Sequence, residues 1–352
     1  MTPHRHGCAP RAPTLSHPLL LACLGLCLLL GLPTVGIAQE RLFIGTASPA
    51  GVYHIAGRTL CRMVDIPCRA RPTAGSAANL EALRSGELQI ALAQSDLQYQ
   101  AIHGEGGFQA AGPDPSLRAI FSLHSEPFTL VVRRDAGIDD LAGITRHAIN
   151  IGNPGSGQRG TMLRLMQASG WSHSDFVLVN ELPADQQSLE LCHGNVDAMV
   201  YTVGHPNPSV AQAIRLCNAA LINVEGEAVD RLIAENPYYS RAWIPGGIYG
   251  PDQPPVRTFG VRATLLASER TDPDLVYRLV SAVFDNLLRF KAYHPAFSVL
   301  TREGMIHDGL TAPLHEGALR YYREQGWLDE AGTTNARHEP RHETHPLLAS
   351  HD

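Results

Sequence analysis

The chain has 352 residues, of which 34 are Asp or Glu and 28 are Lys or Arg, so its formal net charge is −6. This acidic balance argues against nucleic-acid binding, which needs a basic surface for the phosphate backbone. The length suits two α/β lobes better than one small core.

The first 38 residues have the pattern of a cleavable export signal. Arg5 and Arg11 form a basic region, and Leu19–Leu30 is an apolar stretch too short for a comfortable membrane span. Small residues ending at Ala38 form a cleavage site, so we predict export to the periplasm with cleavage near Ala38. Removal of this segment leaves 34 acidic and 26 basic residues, a net charge of −8.

Four cysteines remain after the predicted cleavage, and an even number in an oxidising compartment favours disulfides. Four cysteines allow three pairings, and the most economical one is local, Cys61–Cys68 with Cys192–Cys217. A zinc site is the alternative, but no CxxC or paired-histidine spacing supports it. We therefore expect two disulfides, no metal site and no cofactor.

The mature chain opens with a strand, Arg41–Gly45, followed by a Gly/Ser/Pro loop and a helix, Ile55–Val64. In an α/β domain this loop lies at the carboxyl edge of the sheet, where ligands bind. It could equally be an ordinary polar loop. The candidate ligand contacts are Thr46, Ser48, Gly51 and Tyr53.

The segment Thr73–Asp96 predicts an anion site. The small turn Thr73–Ser76 precedes a helical run, Ala77–Arg84, and would leave backbone N–H groups free at the helix N-terminus. A buried strand, Leu88–Ala93, follows and ends in polar residues that face the same crevice. The alternative is a plain βαβ unit with a polar rim. The candidate contacts are Thr73, Gly75, Ser76, Asn79, Gln94 and Ser95.

Strands Leu117–Leu123 and Phe128–Arg133 lead into a second lobe, where His147–Gly152 is a strand and Thr161–Ala168 a helix. The turn between them contains Gly155, Ser156 and Gly157. Together with Gly160 its glycines match G-x-G-x-x-G, the spacing of a dinucleotide fingerprint, with Glu181 after the next strand. A single match is weak, and the same backbone approach suits any carboxylate. We favour a carboxylate site here.

The strand Val196–Tyr201 ends at the ligand-facing edge, where Tyr201 and His205 are candidate contacts, although a locally bonded loop histidine is the plainer interpretation of His205. Tyr238–Tyr249 is an aromatic loop that suits either a cleft or a core cover. Arg257–Ala267 predicts a strand that returns to the first lobe.

Two helices, Asp272–Phe290 and Leu310–Gln325, complete the first lobe. Residues 329–352 carry four histidines and many charges without hydrophobic periodicity, so we expect a disordered tail.

Taken together, the predicted elements indicate an α/β fold class, with two α/β domains, a hinge and a ligand cleft between them. No GxSxG, HExxH, Walker or CxxC motif supports an enzyme.

Several segments resemble, in order, the TAXI family of TRAP-transporter solute-binding proteins. They are GTASPAGVYH, PTAGSAANLEALRSGELQIALAQSD, NPGSGQRGT and LCHGNVDAMVYTVGHPNPSV, and the resemblance covers residues 41–328. It implies a periplasmic type II binding-protein fold and delivery of a small carboxylate, such as glutamate, glutamine or 2-oxoglutarate, to a permease driven by an ion gradient. Related chains also carry cysteines at the two local pairs. The same polar loops should line the site.

These expectations place the first lobe at residues 41–131 plus 258–328 and the second at 132–257, in a monomer that binds a small carboxylate and TRAP permease subunits. Two alternatives stay open. One is an exported nucleotide-dependent enzyme that uses the Gly155–Gly160 turn, with His54 and His205 as the candidate acid or base. The other is a receptor that passes the ligand signal to a membrane sensor.

Overall fold

The computed structural model describes residues 41–329. The predicted export signal, residues 1–38, and the predicted disordered tail after residue 329 lie outside the described residues. Between residues 41 and 329, no helix combines the length and apolar character needed to cross a membrane.

The described part of the chain forms ten strands and eleven α-helices. The strands are β1 Leu42–Gly45, β2 Cys68–Arg71, β3 Ile90–Gln94, β4 Leu117–Arg133, β5 Ala148–Asn150, β6 Leu178–Asn180, β7 Ala198–Thr202, β8 Ala219–Ile222, β9 Ser240–Ile244 and β10 Val256–Ser268. The helices are α1 Val52–Met63, α2 Ser76–Ser85, α3 Ser95–His103, α4 Gly157–Ser169, α5 Ala184–Cys192, α6 Pro208–Leu216, α7 Glu227–Glu235, α8 Pro273–Phe284, α9 Leu287–Lys291, α10 Arg302–His307 and α11 Glu316–Glu324.

The strands form two α/β lobes around two long shared strands, β4 and β10. The sheet order is β2-β1-β3-β10-β4-β7-β5-β6, with β8 also paired to β4 and β9 to β10. On the first side β1 pairs in parallel with β2 and β3, and on the second side β5 pairs in parallel with β6 and β7. This is the two-lobed architecture of type II periplasmic binding proteins, with the long strands as the crossing between lobes.

Strand β4 is continuous, whereas the sequence predicted two strands, Leu117–Leu123 and Phe128–Arg133. The difference arises at Pro127, which reads as a strand breaker because it has no backbone N–H. Here Pro127 is the last residue of β4 opposite β10, and Phe128 is the first opposite β7. Because the strand changes partners at this point, it loses little from the missing donor.

Each lobe has its own hydrophobic core. In the first lobe Ile44 and Phe121 pack with Val280 of α8. In the second, Phe128 packs with Met162 of α4 and with Tyr239. The buried side chains of Tyr238, Tyr239 and Tyr249 show that the predicted aromatic loop covers core, and part of it forms β9.

The predicted helix Asp272–Phe290 is interrupted after Phe284. Its start is as expected, because the Asp272 side chain accepts a hydrogen bond from the Asp274 N–H and Pro273 occupies the first turn. At the break, the Asn286 side-chain amide donates to the Ala282 carbonyl at 3.1 Å. Such local bonds from short polar side chains compete with the helix, which resumes as α9.

Both predicted disulfides are confirmed. Cys61 at the end of α1 joins Cys68 at the start of β2, with their Cα atoms 5.0 Å apart. Cys192 at the end of α5 joins Cys217 after α6, with a Cα separation of 4.6 Å. Among the described residues no cluster of His, Cys, Asp and Glu has the arrangement of a metal site.

Replacing Cys192 and Cys217 by serine is expected to lower the free energy of unfolding by about 3 to 4 kcal/mol, and replacing Cys61 and Cys68 by about 2 to 3 kcal/mol. The order follows from the chain lengths closed by the two bonds, 25 and 7 residues, because a longer loop restricts the unfolded chain more. Urea unfolding of both double variants would measure this. A larger loss from the shorter loop would contradict it.

Candidate functional site

A cavity of about 360 Å³ is walled by both lobes. The first lobe contributes residues 47–53 and 73–76 together with Gln94 and Glu126, and the second contributes residues 153, 156–158, 183–185, 201–203, 207 and 209. The volume lies within the range of small-molecule sites. The cavity is therefore the candidate ligand site.

Five α-helices of at least nine residues begin at the cavity wall. The residues in their first turns that line it are Val52 and Tyr53 of α1, Ser76 of α2, Gly157 and Gln158 of α4, Ala184 and Asp185 of α5, and Ser209 of α6. The first N–H groups of a helix have no intrahelical acceptor, and the helix dipole adds partial positive charge there. The five helix dipoles therefore favour an anionic group at the wall, although Asn207 and Gly155 already accept from first-turn N–H groups of α6 and α2.

Two of these helix ends are held in place by side chains. The Tyr201 hydroxyl donates to the Ala184 carbonyl at 2.8 Å, which fixes the start of α5. Asn207 caps α6 by accepting from the N–H groups of Ser209 and Val210 at 2.9 and 3.2 Å.

The structure brings ten of the fifteen predicted contact residues to the cavity. They are Ser48, Gly51, Tyr53, Thr73, Gly75, Ser76, Gln94, Ser156, Gly157 and Tyr201. The other five, Thr46, Asn79, Ser95, Gly155 and His205, are not among the lining residues.

Thr46, Asn79 and Ser95 brace the wall from behind. The Thr46 carbonyl accepts from the Thr73 hydroxyl at 2.8 Å and from the Asn79 amide at 2.6 Å. The Ser95 hydroxyl accepts from the Arg262 N–H at 3.1 Å. These hydrogen bonds hold in place the segments that carry the lining residues Thr73 and Gln94.

His205 is also held away from the cavity. Its Nε2 lies 2.9 Å from the Thr129 hydroxyl and its Nδ1 contacts the Tyr249 hydroxyl. Burial lowers the pKa of this imidazole to about 3, so the ring is neutral. The second histidine considered, His54, lies with Nδ1 3.2 Å from the Thr46 hydroxyl. Neither ring is placed to act on a molecule in the cavity.

The helix end predicted as an anion site already has a partner from the other lobe. The Gly155 carbonyl accepts from the N–H groups of Ala77 and Ala78 of α2 at 3.1 and 3.2 Å. Gly155 adopts a positive φ of 85°, a conformation that glycine tolerates well. The second lobe thus caps a helix of the first, and these two donors are not available to a ligand in this arrangement.

The three glycines of the G-x-G-x-x-G match contact the first lobe. A Cβ atom on Gly157 would lie 1.7 Å from Gln94 Oε1 and 2.8 Å from Ser76 Oγ, and one on Gly160 would lie 2.9 Å from Leu97. Gly155 is used by the cap on α2. The glycine spacing therefore allows the two lobes to approach closely. Glu181, the acidic residue of the dinucleotide pattern, forms an ion pair with Arg159 at 2.7 Å.

A second contact between the lobes centres on Asp96. Its Oδ2 accepts from the Thr161 hydroxyl of α4 at 2.8 Å and from the Tyr239 hydroxyl at 3.0 Å. Burial raises the pKa of this carboxyl to about 6, and the hydrogen bonds oppose the shift. Asp96 thus ties helix α4 of the second lobe to α3 of the first.

Glu126, which sequence analysis missed, lies in the cavity wall where β4 crosses between lobes. Its carboxyl is 3% exposed, and Oε2 accepts from the Tyr53 hydroxyl at 2.8 Å. Burial raises the pKa of this carboxyl to about 8, although the Tyr53 hydrogen bond opposes the shift. The sequence signal that could have identified Glu126 was a glutamate next to a proline between two apolar runs. The other polar residues in the wall that are not among the predicted contacts are Asn153, Gln158, Asp185, Thr202, Asn207 and Ser209.

Beneath Glu126 lies His124, whose Nε2 is 3.8 Å from Glu126 Oε1, too far for a hydrogen bond. Both ring nitrogens of His124 are buried without a hydrogen-bond partner. Burial lowers the pKa of this imidazole to about 3. His124 is therefore neutral and gives Glu126 no counter-charge.

Two α/β lobes joined by long crossing strands thus enclose a cavity that residues of both lobes line. The chain belongs to the NMT1-like family, whose model matches residues 44–326.

Among solved structures the chain is similar to the alkanesulfonate-binding protein SsuA from Xanthomonas axonopodis pv. citri bound to MOPS. The identity is 16%, the TM-score 0.44, and the match covers 74% of this chain and 80% of that one. It is also similar to the arginine-, lysine-, histidine-binding protein ArtJ from Geobacillus stearothermophilus. There the identity is 9%, the TM-score 0.44, and the coverage 74% and 94%.

Proposed function

We propose that the chain is an extracytoplasmic solute-binding receptor of the TAXI type. It captures a small carboxylate between its lobes, residues 41–131 plus 258–328 and residues 132–257, and delivers it to a TRAP-type permease driven by an ion gradient. The glutamate, glutamine and 2-oxoglutarate class is the proposed cargo. Membership of the NMT1-like family and the two-lobed fold support the receptor role.

The observation that carries the carboxylate proposal is the convergence of five helix N-termini on one cavity. Backbone N–H groups and helix dipoles bind carboxylates without a dedicated arginine. The hydroxyls of Ser48, Thr73 and Ser76 add further donors on the wall. The nucleotide-dependent enzyme is the weaker alternative, because the glycines of the fingerprint pack on the opposite lobe.

Thermal unfolding of the exported chain against amino acids, dicarboxylates, 2-oxo acids and NAD(H) tests this function. A ligand that binds only the folded state adds about 2.7 kcal/mol of stability at a hundredfold excess over its Kd. We expect a carboxylate to raise the midpoint and NAD(H) to leave it unchanged. The proposal would be refuted if NAD(H) alone raised the midpoint, or if no carboxylate of the panel raised it.

A further inference from the structure

The charges on the cavity wall do not suit a purely anionic ligand. Among the described residues that line it, the ionisable acids are Glu126 and Asp185, and none is Lys, Arg or His. The helix N-termini can hold one carboxylate, but a dianion would bring its second negative charge into a wall that already has two carboxyl groups. A ligand that also carries a positive charge fits this wall better.

Glu126 is the group that lacks a partner of opposite charge. It is almost fully buried, Tyr53 is its hydrogen-bond donor, and His124 beneath it is neutral. An ionised carboxylate in this position is costly until a cation pairs with it. That cation must come from the cavity side, because Glu126 lines the cavity and no described Lys or Arg forms an ion pair with it.

A neutral Glu126 that donates to a ligand carboxylate is the competing role. The wall already contains the N-termini of α1, α4 and α5, which lie outside the caps on α2 and α6, and several hydroxyls, so another donor would duplicate what is present. Among the described lining residues, Glu126 is the one buried acceptor that can carry a negative charge, since Asp185 is exposed and Gln94 Oε1 is a neutral amide oxygen.

We propose that Glu126 accepts the ammonium group of the ligand, so that the cavity selects α-amino acids over the corresponding 2-oxo acids. This inference rests on the proposed function and narrows its ligand class. The carboxylate of the amino acid binds at the helix N-termini, and its ammonium pairs with the Glu126 carboxylate. Binding transfers the Glu126 proton to the buffer.

Isothermal titration with matched pairs tests this inference. The probes are L-glutamate with 2-oxoglutarate and L-leucine with 4-methyl-2-oxopentanoate, each at pH 6.5 in two buffers of different ionisation enthalpy. We expect the amino acid to bind about 10- to 100-fold more tightly than its oxo acid, the range for a hydrogen bond to a charged group. We also expect release of about one proton per amino acid bound.

The variant Glu126→Gln should remove both the preference and the proton release while still binding a carboxylate. Asp114→Asn is the matched control, because Asp114 is also a buried carboxyl, 5% exposed, but does not line the cavity. The control should keep the selectivity of the original chain. Circular dichroism of both variants would verify that they fold.

Other titrating groups near Glu126 must be separated from it in the proton count. Tyr53 of α1, Asp96 of α3 and His124 of β4 interact with it, and Arg262 of β10 and His205 face His124. Asp96 releases protons near pH 6, so proton release that persists in Glu126→Gln would assign the effect to Asp96 and overturn the proposal.

Each outcome bears on one of the two proposals. Oxo acids that bind as tightly as amino acids, or more tightly, would overturn the role of Glu126 and leave the carboxylate receptor intact. No binding by any carboxylate of the panel would overturn the proposed function itself.

Discussion

A Gly157→Ala variant is expected to lose about 10- to 100-fold in ligand affinity while it remains folded. The new methyl group would lie 1.7 Å from Gln94 Oε1 and 2.8 Å from Ser76 Oγ. Gln94 is buried, so it can move aside only into the cavity or by separation of the lobes. Either movement removes part of the site that binds the ligand.

The matched control is Gly107→Ala, because a Cβ atom at Gly107 meets nothing within 4 Å. Neither Gly107 nor Gly157 has a positive φ, so the backbone accepts alanine at both positions. Titration of the best ligand from the thermal panel would compare the two variants. Equal affinity for both would show that the approach of Gly157 to Gln94 is not needed for binding.

The second large effect is a fall in the free energy of unfolding as pH rises from about 4.5 to 8. Glu126 has an ordinary pKa of 4.5 when unfolded and a pKa of about 8 in the folded chain. In this interval the native state keeps a proton that the unfolded state has lost, so rising pH favours unfolding. At 1.36 kcal/mol per pKa unit the loss is on the order of 5 kcal/mol.

Urea unfolding at several pH values should show this fall and its removal in Glu126→Gln. Below pH 4.5 the variant and the original chain should respond to pH alike, and their curves should separate as pH rises. A smaller fall between about pH 4 and 6 should persist in the variant, because Asp96 has a raised pKa of about 6. Asp185→Asn, which removes an exposed carboxyl, should keep the full fall. If the stability of Glu126→Gln fell with pH in parallel with that of the original chain, the fall could not be assigned to Glu126.

Local sequence patterns predicted the fold class, the disulfides and most of the loops around the cavity. Gly75, Ser156 and Gly157 stand out because a glycine-bearing turn between a strand and a helix has few structural alternatives. The two disulfides could be predicted because the cysteines of each pair lie close together in the sequence. These features depend on neighbours in the sequence, which is why they could be found without the structure.

What sequence reasoning missed depends on contacts between distant segments. Glu126 lies next to a proline that looks like a strand end, and only the change of partners along β4 makes the strand continuous. Asn79 and Ser95 have the polarity of ligand contacts, yet their bonds go to the Thr46 carbonyl and the Arg262 N–H. The polarity of a side chain does not reveal the direction in which it points.

The cap that Gly155 places on α2 affects how strongly closure of the lobes depends on cargo. Its two backbone hydrogen bonds join the lobes through protein atoms alone, so they stabilise the closed arrangement whatever the cavity holds. If the chain is the proposed receptor, a membrane partner that recognises the closed form would also engage chains without cargo. The combined strength of this cap and of the Asp96 contacts would then limit how well such a partner can distinguish a loaded chain from an unloaded one.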